Sequence, residues 1–167
     1  MAEILAFSKS AGREQIYAEI TPQIEVLISG EPDVIANLAN VAAVLREAFG
    51  FFWAGFYLVK EGQLVLGPFQ GPLACTRIDF GKGVCGHAYS TGQTVVVPDV
   101  DEFPGHIACS SAARSEIVVP LFKPDGSIAG VLDVDSDRPN DFSELDRIGL
   151  ERIADLLQSV FEHRNVR

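Results

Sequence analysis

Five short runs of β-branched and aromatic residues constrain the fold most strongly, because tight turns join two pairs of them. The runs span residues 51–59, 63–70, 94–98, 115–122 and 127–135. "EG" at 61–62 joins the first two, and "KPDG" at 123–126 joins the last two, with Pro and Gly where turns favour them. Such pairs form antiparallel hairpins, and the chain lacks the regular strand–helix alternation of a parallel sheet.

Apolar residues at helical spacing predict two helices before the first strand. Residues 9–29 fit a first helix, in which Pro22 should cause a kink or a break. The second helix starts near Pro32 and ends at Gly50, because Pro suits a first turn and Gly suits the position after the last turn. A short helix is expected to follow "GKGVCGHA" at 81–88.

A capping box predicts the last helix. Ser143 starts it, with Asp146 three residues later, and the helix should run to about His163. Its inward-facing residues are expected to be Leu145, Ile148, Leu156 and Val160. Helices at both chain ends around antiparallel hairpins make an α+β fold, with one domain over residues 1–167.

The segment between about 71 and 113, named the excursion here, is too long for a simple connection. It contains all three cysteines, Cys75, Cys85 and Cys109. An odd number excludes a complete set of disulfides within one chain, and three small buried hydrophobic residues remain an alternative. The glycine, proline and histidine content of the excursion favours a functional segment.

Charge and hydropathy exclude several classes of partner. The net charge is −10, whereas nucleic acids and anionic membranes attract basic surfaces. No apolar stretch approaches the ~20 residues of a membrane span, and the first residues, "MAEILAFSKS", lack the features of a signal peptide. We therefore expect a cytoplasmic protein that binds neither nucleic acid nor membrane.

Three carboxylates fall on one face of the predicted last hairpin. Alternate residues of a strand share a face, so Glu116 points away from the apolar side of its strand, as Asp133 and Asp135 do on the next. Pairing through the turn would bring all three together. A solvated sheet face is the alternative, and it is the commoner arrangement.

Carboxylates crowded into a half-buried pocket would have at least one raised pKa, so a proton would be available near neutral pH. A remaining anion could hold an ammonium group. The same crowding disfavours a nearby thiolate, because an unperturbed cysteine has a pKa of ~8.5. A reaction in which a carboxylic acid activates an electrophile before a thiol attacks it would use both kinds of group.

Two weaker signals allow other interpretations. Zinc could be held by Cys85 with His87 and by His106 with Cys109, although these spacings differ from those of structural zinc sites. The glycine-rich "GKGVCG" lacks the phosphate-loop pattern, but it could offer a helix N-terminus, whose N–H groups suit a carboxylate.

Four segments carry a resemblance to a known family. They are "WAGFYLV" (53–59), "GKGVCGHA" (81–88), "HIACSSAARSEIVVPL" (106–121) and "GVLDVDS" (130–136). Together with the cysteine spacing, they resemble the free methionine-(R)-sulfoxide reductases, single-domain enzymes with a GAF fold. The resemblance implies a central antiparallel sheet of about six strands. Helices from both termini would cover one face, and a substrate-covering excursion the other.

The resemblance implies a role for each cysteine. Cys109 would be the nucleophile that attacks the sulfoxide sulfur, and we expect it to become a sulfenic acid. Cys75 would be the resolving thiol, condensing with Cys109 to a disulfide that a thioredoxin-type dithiol protein reduces. Cys85 would lie at the pocket as a dispensable or secondary partner. We expect no bound cofactor and no metal.

Glu116, Asp133 and Asp135 would be the pocket carboxylates of the family. We expect Glu116 and Asp135 to donate the proton to the sulfoxide oxygen, and Asp133 to hold the substrate's ammonium group. Backbone N–H groups around Val84 and Cys85 would receive its carboxylate. Because both charged ends must be free, methionine sulfoxide within a protein should be excluded.

Two aromatic residues are assigned to the apolar end of the substrate. Trp53 and Tyr57 would wall the pocket around the methyl-sulfur group, although their pattern alone also fits core residues. The family usually has Asp after the nucleophile and Asn two residues before the glutamate, where this chain has Ser110 and Arg114. These changes should ease thiolate formation, or Arg114 should pair with a pocket carboxylate.

Two alternatives to an enzyme stay open. The first is a non-catalytic GAF sensor that binds a small ligand or reports redox state, and the second is a structural, dimer-forming module with buried cysteines. For the enzyme, family analogy implies a homodimer formed through the terminal helices.

Overall fold

The computed structural model describes residues 4–162, which form a six-stranded sheet between a helical layer and the excursion. The helices are α1 (Arg13–Ser29), α2 (Val34–Phe49), α3 (Gly83–Thr91) and α4 (Glu144–Leu157). The strands are β1 (Trp53–Lys60), β2 (Gln63–Gln70), β3 (Arg77–Ile78), β4 (Val95–Val97), β5 (Ser115–Phe122) and β6 (Ile128–Ser136). Two short 3₁₀ turns complete the described elements: Val100–Glu102 lies between β4 and β5, and Gln158–Phe161 follows α4.

The sheet confirms the α+β class and both predicted hairpins. Its strand order is β3-β2-β1-β6-β5-β4, and each pairing is antiparallel. β3 has only two residues, which is too short to give a pattern in the sequence. No helix within residues 4–162 has the length and apolar character of a membrane span.

Different parts of the chain bury the two faces of the sheet. α1, α2 and α4 cover one face, where Ile117 and Val119 of β5 enter the larger core. The excursion covers the other face, where Val118 joins a smaller core. This alternation confirms the predicted strand parity, and it places Glu116 and Asp133 beneath the excursion.

α1 differs from the prediction at two points. It begins at Arg13 rather than at residue 9, after Gly12 in an extended conformation. It also continues through Pro22, so the predicted alternative of a break there is wrong. Proline removes one helical hydrogen bond, but Ile20 and Ile24 on either side are fully buried, so tertiary packing holds the helix.

The predicted inward face of α4 is wrong for two residues. Leu145 and Ile148 are 45% and 55% exposed. The buried apolar stripe consists instead of Leu150, Ile153 and Leu157. The capping box of Ser143 and Asp146 is present. The predicted helix end at His163 lies outside the described residues.

Candidate active site

The three predicted carboxylates meet on the sheet face that the excursion covers. Glu116 of β5 lies directly opposite Asp135 of β6, and Asp133 lies opposite Gly55 of β1. Glu116 and Asp133 are each only 6% exposed, and Asp135 is half-buried. The alternative of a solvated sheet face is therefore wrong, and the carboxylates line a pocket.

Burial and mutual repulsion favour protons on these carboxylates. Burial, then Asp133 and Asp135, raise the pKa of Glu116 well above its ordinary value. Burial and Asp133 likewise raise the pKa of Asp135, and burial raises the pKa of Asp133 to about 6. The pocket can therefore hold a transferable proton near neutral pH.

One carboxylate oxygen of Asp133 lacks a hydrogen-bond donor among the described residues. This oxygen, Oδ1, is buried. A buried carboxylate oxygen without a donor is costly, because it has lost water without gaining a replacement. A cationic donor entering the pocket would satisfy it.

Cys75 and Cys109 form a disulfide with their Cα atoms 5.2 Å apart, the pairing that the resemblance implied. Cys109 is half-buried at the edge of the pocket, so neither cysteine is merely a buried hydrophobic residue. Cys85 is buried and free. Burial, followed by Asp133 and Glu116, raises the pKa of its thiol well above the ordinary value, so it remains protonated.

Trp53 and Tyr57 form an aromatic wall of the pocket. Their rings stack with centroids 6.0 Å apart. The Trp53 indole N–H donates to the carbonyl of Pro72 at 3.1 Å, and the Tyr57 hydroxyl donates to the carbonyl of Cys75 at 2.9 Å. These bonds fix the segment that carries Cys75 against β1.

The N-terminus of α3 also reaches the pocket. α3 begins at Gly83, inside the glycine-rich segment rather than after it, because the N–H of Gly86 already bonds to the carbonyl of Lys82. No side chain within residues 4–162 caps this end, so its first N–H groups remain available for an anion. Val84 and Cys85 both line the pocket there.

The structure does not assemble the zinc site considered from the sequence. Cys109 is bonded to another cysteine, and His87 is exposed on α3. Within residues 4–162, the possible metal ligands that converge are Cys85, Glu116 and Asp133, with atoms within 4.8 Å of one another.

Sequence reasoning missed His106 as a neighbour of the carboxylates. Its Nε2 lies 3.8 Å from Oε2 of Glu116, and its side chain is 15% exposed. The available signal was its position three residues before Cys109. Ser110 lines the pocket, whereas Arg114 is exposed and forms no ion pair with a carboxylate among the described residues. Arg114 therefore does not pair with Glu116 here.

Comparisons with known proteins agree with this geometry. The model of the GAF domain family matches residues 32–162. The free methionine-R-sulfoxide reductase of Escherichia coli is 44% identical over 89% of this chain and 90% of its own length. The enzyme of the same name from Saccharomyces cerevisiae is 40% identical over 93% of this chain and 91% of its own.

A solved structure extends the comparison to three dimensions. An X-ray structure of free methionine-R-sulfoxide reductase from Neisseria meningitidis, in complex with its substrate, superposes with a TM-score of 0.92. It is 57% identical to this chain, and the match covers 95% of each chain. The chain therefore belongs to the free methionine-R-sulfoxide reductases, oxidoreductases of the GAF domain family that act on methionine sulfoxide.

Proposed function

We propose that this protein reduces free L-methionine-(R)-sulfoxide to L-methionine with Cys109 as its nucleophile. One observation carries the proposal. Cys109, already bonded to Cys75, edges a pocket whose floor holds carboxylates with raised pKa values. A sulfoxide needs an acid at its oxygen and a thiol at its sulfur, and the pocket offers both.

The chemical steps use each group once. Glu116, with Asp135, protonates the sulfoxide oxygen, and the Cys109 sulfur attacks the substrate sulfur. Methionine leaves, and the oxygen remains on Cys109 as a sulfenic acid. The Cys75 thiol then displaces this oxygen as water and forms the disulfide.

Substrate recognition follows from the same groups. Asp133 Oδ1, which lacks a partner among the described residues, accepts from the ammonium group, and the free N–H groups at the start of α3 donate to the carboxylate. Trp53 and Tyr57 contact the methyl-sulfur end. In a protein, the methionine sulfoxide has neither charged end, so it would leave Asp133 buried and unpaired.

A dithiol protein of the thioredoxin type restores the thiols by exchange with the Cys75–Cys109 disulfide. This scheme requires no bound cofactor, and it suits the cytoplasm, where such reductants keep thiols reduced. We also propose a homodimer through the terminal helices. α1 leaves Val26 71% exposed, which is compatible with a helical contact between chains.

The test is NADPH-coupled turnover with thioredoxin and thioredoxin reductase. We expect turnover of free L-methionine-(R)-sulfoxide, and none of the (S) epimer or of the N-acetylated (R) compound. Cys109→Ser should abolish methionine formation. Cys75→Ser should form methionine once per chain and then stop. A GAF sensor would bind the sulfoxide without producing methionine, and equal rates on both epimers would contradict the proposal.

A further inference from the structure

His106 has no part in the steps above, yet its side chain lines the same pocket. Its imidazole Nε2 lies 3.8 Å from Glu116 Oε2, while the Cys85 sulfur lies 3.9 Å from Oε1. The loop that carries His106 also carries Cys109, and backbone hydrogen bonds to residues nearby in sequence hold both. The His106 N–H bonds to the carbonyl of Phe103 and the Cys109 N–H to that of Ile107, each at 3.1 Å.

The two side chains that approach Glu116 differ in their access to water. Cys85 is 4% exposed and its thiol stays protonated, whereas the imidazole of His106 is 15% exposed. His106 therefore places a partly exposed titratable group beside the buried carboxyl of Glu116. A proton can enter or leave Glu116 through this imidazole.

The charges around His106 suit a proton carrier. Burial lowers its pKa, and Asp101 partly opposes this, so the imidazole is mostly neutral near neutral pH. Burial, together with Asp133 and Asp135, raises the pKa of Glu116 well above its ordinary value and so favours its protonated form. The contact becomes an ion pair only when Glu116 has given up its proton and the imidazole has gained one, which is when a proton must return.

We propose that His106 returns a proton to Glu116 in each catalytic cycle, acting as a positioning and relay residue rather than touching the substrate. Glu116 gives its proton to the sulfoxide oxygen, and the Cys109 thiol loses its proton as its sulfur attacks. The imidazole takes up the thiol proton and passes it to the Glu116 carboxylate. No proton is gained or lost overall, and the inference rests on the proposed function.

The test compares His106→Gln with His87→Gln, a substitution of the exposed histidine of α3. Glutamine keeps a polar side chain of similar size near Glu116, but it cannot carry a proton. With reduced enzyme and saturating free L-methionine-(R)-sulfoxide, His106→Gln should lower the first-turnover rate about 100-fold. KM should stay unchanged. His87→Gln should match the unsubstituted chain, and added imidazole should restore part of the rate of His106→Ala.

Each outcome decides a separate point. A His106→Gln rate equal to that of the unsubstituted chain overturns the relay. So does a loss accompanied by a large rise in KM, because that would indicate a substrate-binding role. If His106→Ala proves unfolded by its melting curve, the decision rests on His106→Gln. An unsubstituted chain that forms no methionine would overturn the proposed function itself.

Discussion

At the scale of single residues, the pocket accepts an electrostatic cost that the rest of the core avoids. Three carboxylates share one small space, and burial raises the pKa of Asp133 to about 6 despite the opposing effect of Glu116 and Cys85. A carboxyl that retains its proton is useful only to a reaction that consumes it. The buried carboxylates therefore account both for the electrostatic cost and for the proposed chemistry.

Glu116→Gln should slow the first turnover by about 100-fold, because the amide cannot give a proton to the sulfoxide oxygen. In the unsubstituted enzyme this rate should fall as pH rises through the raised pKa of Glu116, since only the protonated carboxyl donates. Rapid-quench measurement of methionine checks both. Glu25→Gln, at an exposed position of α1, is the control and should change neither.

The same carboxylates should make stability depend on pH. Because their pKa values are raised on folding, the folded chain binds more protons than the unfolded chain between about pH 4 and 6, so stability falls as pH rises. For Asp133 this loss is on the order of 1–3 kcal/mol.

Asp133→Asn should therefore flatten the fall in stability over this range, and urea unfolding at several pH values measures it. Asp155→Asn, at an exposed position of α4, should leave the slope unchanged. A slope that stays the same in Asp133→Asn would show that the carboxylates do not titrate as their burial requires.

At the scale of elements, the crossing of α1 and α4 depends on the absence of a side chain at Gly149. A Cβ there would lie 2.6 Å from two ring carbons of Tyr17, whose hydroxyl donates to the buried Asp146 at 2.9 Å. The ring is therefore held where a larger residue would collide with it.

Gly149→Ala should lower the free energy of unfolding by about 1–2 kcal/mol, although alanine favours helices more than glycine does. In a Tyr17→Ala background the collision is gone, so the same change should become neutral or stabilising. Urea unfolding of the four proteins of this cycle measures the coupling. Equal effects of Gly149→Ala in both backgrounds would refute the collision.

The elements also show what could be predicted from the sequence. The β5–β6 hairpin has a strict two-residue period and a short turn, so the convergence of Glu116 and Asp133 followed from the sequence alone. The phase of α4 did not, because its buried side includes Asp146, a charged residue. Besides the local cap with Ser143, Asp146 bonds to Arg13 and Tyr17, which are distant in sequence. His106 lies in a loop without periodicity, and its approach to Glu116 depends on the path of the whole excursion.

At the scale of the whole molecule, the disulfide ties two ends of the excursion together. Cys75 and Cys109 are 34 residues apart in sequence, so the bond restricts the unfolded chain strongly. Reduction of the disulfide should therefore loosen the excursion over the pocket, while the sheet and the helical layer remain intact.

Reduction should lower the free energy of unfolding by up to about 4 kcal/mol, the loop-closure value for a loop of this size. Hydrogen exchange should rise in the excursion and stay unchanged in β1 and β6. Cys75→Ser under oxidising conditions should match the reduced unsubstituted chain in both measurements. If reduction leaves the exchange of the excursion unchanged, the bond does not hold the cover in place.

The most direct measurement counts products of one turnover without any reductant. Fully reduced enzyme is mixed with excess free L-methionine-(R)-sulfoxide, and methionine and disulfide-linked peptides are quantified together. We predict one methionine and one Cys75–Cys109 disulfide per chain, with Cys85 still a thiol. Methionine formed without that disulfide, or in equal yield from the (S) epimer, would contradict the account.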